Sequence, residues 1–164
     1  MLAELLTPEN IDVQITVAQQ AFTVLADIEV FPVPPAPELV VLDPNEIADI
    51  RATICYMGES EGSIRIECSP SIAFAFTERM TGAELPQAFN EDVRDAIGEL
   101  INTIGGNLKG LLPAGTRINT PLVFPQPADK LHHHEPEPQL SCLNFNSQFG
   151  PFRIVLLDTL PDAA

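Results

Sequence analysis

The chain has 164 residues, of which 45% are hydrophobic, and it carries 23 acidic against 8 basic side chains for a formal net charge of −15. That apolar share excludes wholesale disorder, and the length fits one domain spanning residues 1–164. The acidic excess argues against a nucleic-acid backbone or anionic lipid as partner, no apolar run reaches the roughly 18 residues of a spanning helix, and MLAELLTPEN lacks the cationic start of a secretory signal, so the expected location is cytoplasmic.

From Pro8 to about Leu25, apolar residues recur at spacings of three and four, which predicts a helix with Thr7 as N-cap and Pro8 in its first turn. EVFPVPPAPELVVLDPNE follows, and its prolines Pro32, Pro34, Pro35 and Pro37 demand an extended, edge-lying or loop path through 31–44. IRATICYM and GSIRIECS, separated by GESEGS, read as a hairpin. Ser69-Pro70 opens a short helix that Gly82 ends. The longest predicted helix runs from Glu91 to about Leu112, entered through Asn90, with Glu91 and Asp92 in its first turn and Lys109 near its end, as the macrodipole favours. TRINTPLVF, QLSCLNFN and GPFRIVLLD read as three strands, with 125–138 as a Pro/His/Glu-rich loop among them. The order helix, strands, helix, helix, strands lacks βαβ alternation and predicts an α+β fold.

Cys55, Cys68 and Cys142 lie in separate apolar, strand-like runs with no CxxC pair, which reads as small buried hydrophobes rather than disulfides or metal ligands. His132, His133 and His134 sit beside Glu135 and Glu137, but three consecutive residues share no helix or strand face, so a loop is the better reading than a metal site.

An internal repeat is visible. Asp12, Thr16 and Gln19 in the first helix stand at the same offsets as Asp95, Glu99 and Asn102 in the long helix, and IRI at 64–66 and FRI at 152–154 follow at similar distances. Two helix-plus-strand halves are expected.

The long helix carries the chemistry. Ile97, Leu100, Ile101, Ile104, Leu108 and Leu111 form its buried stripe, while Asp95, Glu99, Asn102, Gly106 and Lys109 step along another. Glu99 and Asn102, at i and i+3, can address one target together. Gly98, Gly105, Gly106 and Gly110 stand in or at the end of this helix, at about 1 kcal/mol each for interior positions, which close approach of another backbone would explain.

The run DAIGELINTIGGNLKG, Asp95 to Gly110, resembles the signature helix of the CheX/CheC/FliY phosphatases of bacterial chemotaxis, with its acidic residue, ExxN pair and following Gly-Asn. Pro121, the final strand GPFRIVLL and the helix before the first strands extend the likeness. The resemblance implies hydrolysis of phosphoaspartate on the receiver domain of a CheY-like response regulator. Asn102 would hold the attacking water, and Glu99 would pair with the receiver's active-site lysine. Asp95, Gly105, Gly106 and Lys109 would serve docking. The receiver supplies the Mg²⁺, and the chain needs no cofactor of its own. Thr16 and Gln19 replace Glu and Asn in the first half, so one site is expected, as in CheX-like members, which also implies a homodimer joined at sheet edges. The alternative is a non-catalytic adaptor of the same fold that binds a phosphorylated receiver or a switch complex.

Overall fold

The computed structural model describes residues 2–34, 47–127 and 139–158. Most of the proline-rich stretch and all three histidines lie outside these residues.

Local signals set the helices. After a short 3₁₀ turn, Ala3–Leu6, α1 spans Pro8–Ala26, with the Thr7 hydroxyl accepting the Asn10 N–H at 3.3 Å. Asp27 closes α1 in the left-handed region (φ 53°) and donates its N–H to the carbonyls of Phe22 and Thr23. α2 spans Pro70–Thr81 and ends at Gly82, also left-handed, where the missing Cβ avoids strain. α3 spans Glu91–Lys109, and Asn90 Oδ1 accepts the Val93 N–H at 3.0 Å.

The strands are β1 (Phe31–Val33), β2 (Ile47–Met57), β3 (Gly62–Cys68), β4 (Arg117–Ile118), β5 (Leu122–Pro127), β6 (Gln139–Asn146) and β7 (Phe152–Leu157). All pairings are antiparallel, in the order β1-β6-β7-β3-β2, with β4 and β5 both on the outer side of β2. The fold is α+β, and its two halves are α1-β1-β2-β3 and α3-β4/β5-β6-β7, with α2 between them. Exchanging β1 with β5, β2 with β6 and β3 with β7 leaves the sheet order unchanged, so the repeat expected from IRI and FRI is present in the topology.

Three boundaries differ from the sequence reading. The long helix ends at Lys109 rather than Leu112, because the Leu111 and Leu112 N–H groups bond three residues back, to Leu108 and Lys109, and tighten the last turn. TRINTPLVF is two strands, not one. Their registers on β2 differ by one residue, and Asn119 spans the break: its Oδ1 accepts the Cys55 N–H at 2.7 Å while its own N–H bonds the Cys55 carbonyl. β5 also continues through Pro125 and Pro127, residues that the sequence pattern assigns to a loop.

The helices cover one face of the sheet. Ile50, Ala52, Ile54 and Tyr56 of β2, Ile64 and Ile66 of β3, and Phe152, Ile154 and Leu156 of β7 meet the buried stripe of α3 and the inner sides of α1 and α2. Phe22 of α1 stacks on Phe152 at 4.5 Å between centroids, and Phe145 stacks on Phe152 at 4.7 Å. Tyr56, Phe22, Phe76 and Phe145 are fully buried, so this layer contributes most of the hydrophobic stabilisation.

The opposite face holds a charged row. Glu67 stands between Arg51 on β2 and Arg153 on β7, with Arg65 two residues away on its own strand. Arg153 reaches its carboxylate at 2.8 Å, Arg65 at 3.0 Å and Arg51 at 3.6 Å, and Arg51 also grips Asp49 at 2.9 Å. Burial alone would raise the Glu67 carboxyl, but the three guanidinium groups together hold it below its ordinary value. Asp49 goes the other way: burial outweighs its bond to Arg51 and raises it.

Candidate functional site

α3 lies over the sheet with its apolar stripe inward, which leaves a polar stripe outward. Asp95, Glu99, Asn102, Gly106 and Lys109 are all exposed, at the four- and three-residue steps that stack side chains on one helix face. Glu99 and Asn102 are thus adjacent, with Cβ atoms on the order of 5–6 Å apart. Among the described residues neither is engaged in a hydrogen bond or ion pair within the chain. A carboxylate and an amide therefore stand free for an external target.

The two central glycines separate. At Gly106 an added Cβ would meet nothing within 4 Å, so this position leaves the outer face open beside Asn102. Gly105 is a correction to the docking set: it is buried, and an added Cβ would collide with Ile54 Cδ1 and lie 3.3 Å from Tyr56 Oη. Its carbonyl accepts the Tyr56 hydroxyl at 2.8 Å. Gly105 thus lets α3 sit down on β2, and its missing side chain belongs to packing. Gly98, half-buried, faces Val123 of β5, where a methyl would find ordinary contact at 3.7 Å.

Both flanks of the stripe carry exposed apolar side chains. On one side Val17, Ala21, Val24 and Leu25 of α1, with Thr103 and Asn107 of α3, line a shallow groove of about 190 Å³, where Val24 is 81% exposed. On the other side runs β5, with Leu122 48% exposed. Sequence reasoning missed both flanks. The Asn107 amide turns back to the Thr103 carbonyl at 2.7 Å and serves the helix end.

In the first half the corresponding stripe is Asp12, Thr16 and Gln19. Asp12 and Thr16 are exposed, but Gln19 is half-buried and donates its amide N–H to the Val30 carbonyl at 3.3 Å, tying α1 to the approach of β1. The amide that matches Asn102 by position is therefore employed in the fold.

The three thiols are free, two of them buried and Cys142 half-buried. Burial raises Cys55, Cys68 and Cys142 above the ordinary thiol range, which suppresses the nucleophilic thiolate. Among the described residues no group of three or more His, Cys, Asp or Glu side chains is placed to hold a metal ion, and no helix is long and apolar enough to cross a membrane.

Comparison with known proteins adds three findings. The family model described as chemotaxis phosphatase CheX matches residues 50–142. Solved structures share the fold: chemotaxis protein CheX from Vibrio vulnificus is 22% identical with a TM-score of 0.70, covering 90% of this chain and 94% of that one. A CheC-like superfamily protein from Shewanella is 21% identical with a TM-score of 0.68, covering 92% and 97%. A CheX–CheY complex with BeF₃ and Mg²⁺ from Borrelia burgdorferi matches at 16% identity and a TM-score of 0.62, covering 90% and 96%. No curated protein matches the chain in sequence.

Proposed function

Because the chain belongs to the chemotaxis phosphatase CheX family, we propose that it hydrolyses phosphoaspartate on the receiver domain of a CheY-like response regulator, with Glu99 and Asn102 as the working pair. The observation that carries this reading is that these two side chains stand free and adjacent on the exposed stripe of α3, beside the open position at Gly106.

The division of labour follows from the chemistry. Phosphoryl transfer depends on positioning and on charge stabilisation, and the receiver brings its own aspartyl phosphate, lysine and Mg²⁺. Asn102 offers a neutral amide that can accept from and donate to a water, aligning it with the phosphorus without adding negative charge beside the phosphoryl group. Glu99, one turn towards the helix start, pairs with the receiver's lysine and fixes the approach. Asp95 and Lys109 extend the docking stripe at its two ends, and the absent side chain of Gly106 admits the receiver backbone. The receiver's Mg²⁺ spreads the charge of the transferring group, and this chain contributes no metal ligand. The Gln19 contact with Val30 supports a single working site. We place the encounter in the cytoplasm, where such receivers act.

The test is the lifetime of a receiver domain phosphorylated with Mg²⁺ present, using candidate receivers from the same genome. A shortened lifetime supports hydrolysis. Binding with an unchanged or lengthened lifetime would make the protein an adaptor.

A further inference from the structure

The two halves of the repeat seat their helices differently. Laying Asp95, Glu99 and Asn102 on Asp12, Thr16 and Gln19 places Gly105 on Phe22, and laying IRI on FRI places Ile64 on Phe152. Ile64 pairs with Ile54 and Phe152 with Phe145, so Ile54, the strand residue under Gly105, corresponds to Phe145. In the first half this seat is a stack of three rings, Phe22 on Phe152 at 4.5 Å and Phe145 on Phe152 at 4.7 Å. In the second half it is a glycine on an isoleucine. α3 accordingly brings Cα atoms within 8 Å of β2 and β5 along its length, and α1 makes no comparable approach to a strand among the described residues.

The close seat lies beside the proposed working pair. At about 100° per residue, Gly105 stands three residues beyond Asn102 and about 60° round the helix from it, on the flank that meets β2. An added methyl would strike Ile54 Cδ1 and lie 3.3 Å from Tyr56 Oη, which donates its proton to the Gly105 carbonyl at 2.8 Å. Tyr56 is fully buried, so this bond is made away from solvent. It fixes the height and rotation of α3 at the turn that follows Asn102. The half that carries Thr16 and Gln19 instead of the pair is the half that rests on Phe22.

We infer that Tyr56 and Gly105 are positioning residues for the reaction: they hold α3 down on β2 so that Asn102 keeps its water in line with the phosphorus. The inference rests on the reaction proposed for Glu99 and Asn102. Alignment is where a small displacement has the largest effect, since about 1 Å of misplacement can lower a rate about a hundredfold. Docking, spread along the stripe from Asp95 to Lys109, tolerates the same shift.

The experiment is steady-state dephosphorylation by the full chain, with a receiver domain kept phosphorylated by a small phosphodonor and its concentration varied, at a temperature where circular dichroism shows each variant folded. Gly105→Ala is expected to lower kcat about ten- to a hundredfold, with KM within about twofold of the unaltered chain. Ile54→Val removes the methyl group that the new Cβ strikes, so Gly105→Ala/Ile54→Val is expected to recover most of kcat. Tyr56→Phe keeps the ring and loses only the hydroxyl, and is expected to lower kcat roughly two- to tenfold without raising KM. A loss in Gly105→Ala that appears in KM, or one that Ile54→Val fails to recover, would overturn the inference. Full kcat in Tyr56→Phe would overturn it too, and decides alone should Gly105→Ala not fold. Asn102→Ala separates the two levels: its inactivity beside fully active Gly105→Ala and Tyr56→Phe overturns the positioning role only, whereas no acceleration by the unaltered chain overturns the proposed reaction and this inference with it.

Discussion

Ile66 on β3 stands opposite Ile154 on β7, and the register is symmetric about that pair: Ile64 faces Leu156 on one side, and Cys68 faces Phe152 on the other. Laying IRI on FRI places Ile66 on Ile154, so the pseudo-twofold axis of the fold passes through this contact. The axis relates α1 to α3 and lets the two polar stripes be compared residue by residue. What has diverged is the chemistry, with Thr16 and Gln19 where the other half has Glu99 and Asn102.

The paired glycines give a prediction about stability. Gly105→Ala forces a methyl into Ile54 and is expected to cost about 1–3 kcal/mol. Gly106→Ala meets open space and is expected to stabilise α3 by up to about 1 kcal/mol. Urea denaturation of the two variants checks this, and equal effects would contradict the packing described for Gly105.

The sequence made the helices and the repeat legible because each carries a local signal. Thr7-Pro8, Ser69-Pro70 and Asn90 open α1, α2 and α3, Gly82 closes α2, and the spacing of Ile97 to Leu108 identifies the inner side of α3. Two things were hidden. A Pro-x-Pro run reads as a loop, yet Pro125 and Pro127 fit a strand that pairs on one side only among the described residues. The stripe that emerged as Asp95, Glu99, Asn102, Gly106 and Lys109 followed from helical spacing, but Gly105 sits one residue away on the inner side, and a glycine carries no polarity that would reveal its facing. The charged row could have been suspected from Arg51, Arg65, Glu67 and Arg153 within otherwise apolar strands.

That row predicts a pH dependence. Glu67 is held below its ordinary value, and its carboxylate therefore stabilises the fold above the unfolded value of about 4.3, with the contribution lost as pH falls through the lower folded value. Asp49, raised by burial, works with the opposite sign: the penalty on its charged form is relieved as pH falls through its raised value. Glu67→Gln is expected to flatten the acid side of the stability curve, and Glu67→Ala to cost about 3–5 kcal/mol at neutral pH by leaving the arginines uncompensated. Denaturation at a series of pH values reads both, and an unchanged acid limb in Glu67→Gln would refute the assignment.

The chain has one tyrosine and no tryptophan, so tyrosinate absorbance reports on Tyr56 alone. Burial raises its hydroxyl above the ordinary range, and the hydroxyl bonds the Gly105 carbonyl. A neutral folded tyrosine contributes stability that is complete below about pH 10 and is lost as pH rises towards the folded value. Alkaline titration is expected to show tyrosinate only as the fold is lost. Tyr56→Phe is expected to cost about 0.5–1.5 kcal/mol, and a Tyr56 that titrates freely in the folded chain would contradict the contact.

The net charge of −15 sets a salt dependence. An acidic receiver cleft is repelled at long range, and at 0.15 M ionic strength fields are screened beyond roughly 8 Å. Dephosphorylation is expected to be faster at physiological than at low ionic strength, and the reverse order would count against an acidic partner surface.

The most direct measurement is the phosphoryl lifetime of one cognate receiver mixed with the unaltered chain, Asn102→Ala, Glu99→Ala and Gln19→Ala in parallel, with binding followed separately. The account predicts that Asn102→Ala still binds but loses acceleration on the order of a hundredfold or more. Glu99→Ala is expected to bind more weakly, and Gln19→Ala to act as the unaltered chain does. Full acceleration by Asn102→Ala, or its loss in Gln19→Ala with the fold intact, would place the chemistry elsewhere than on α3.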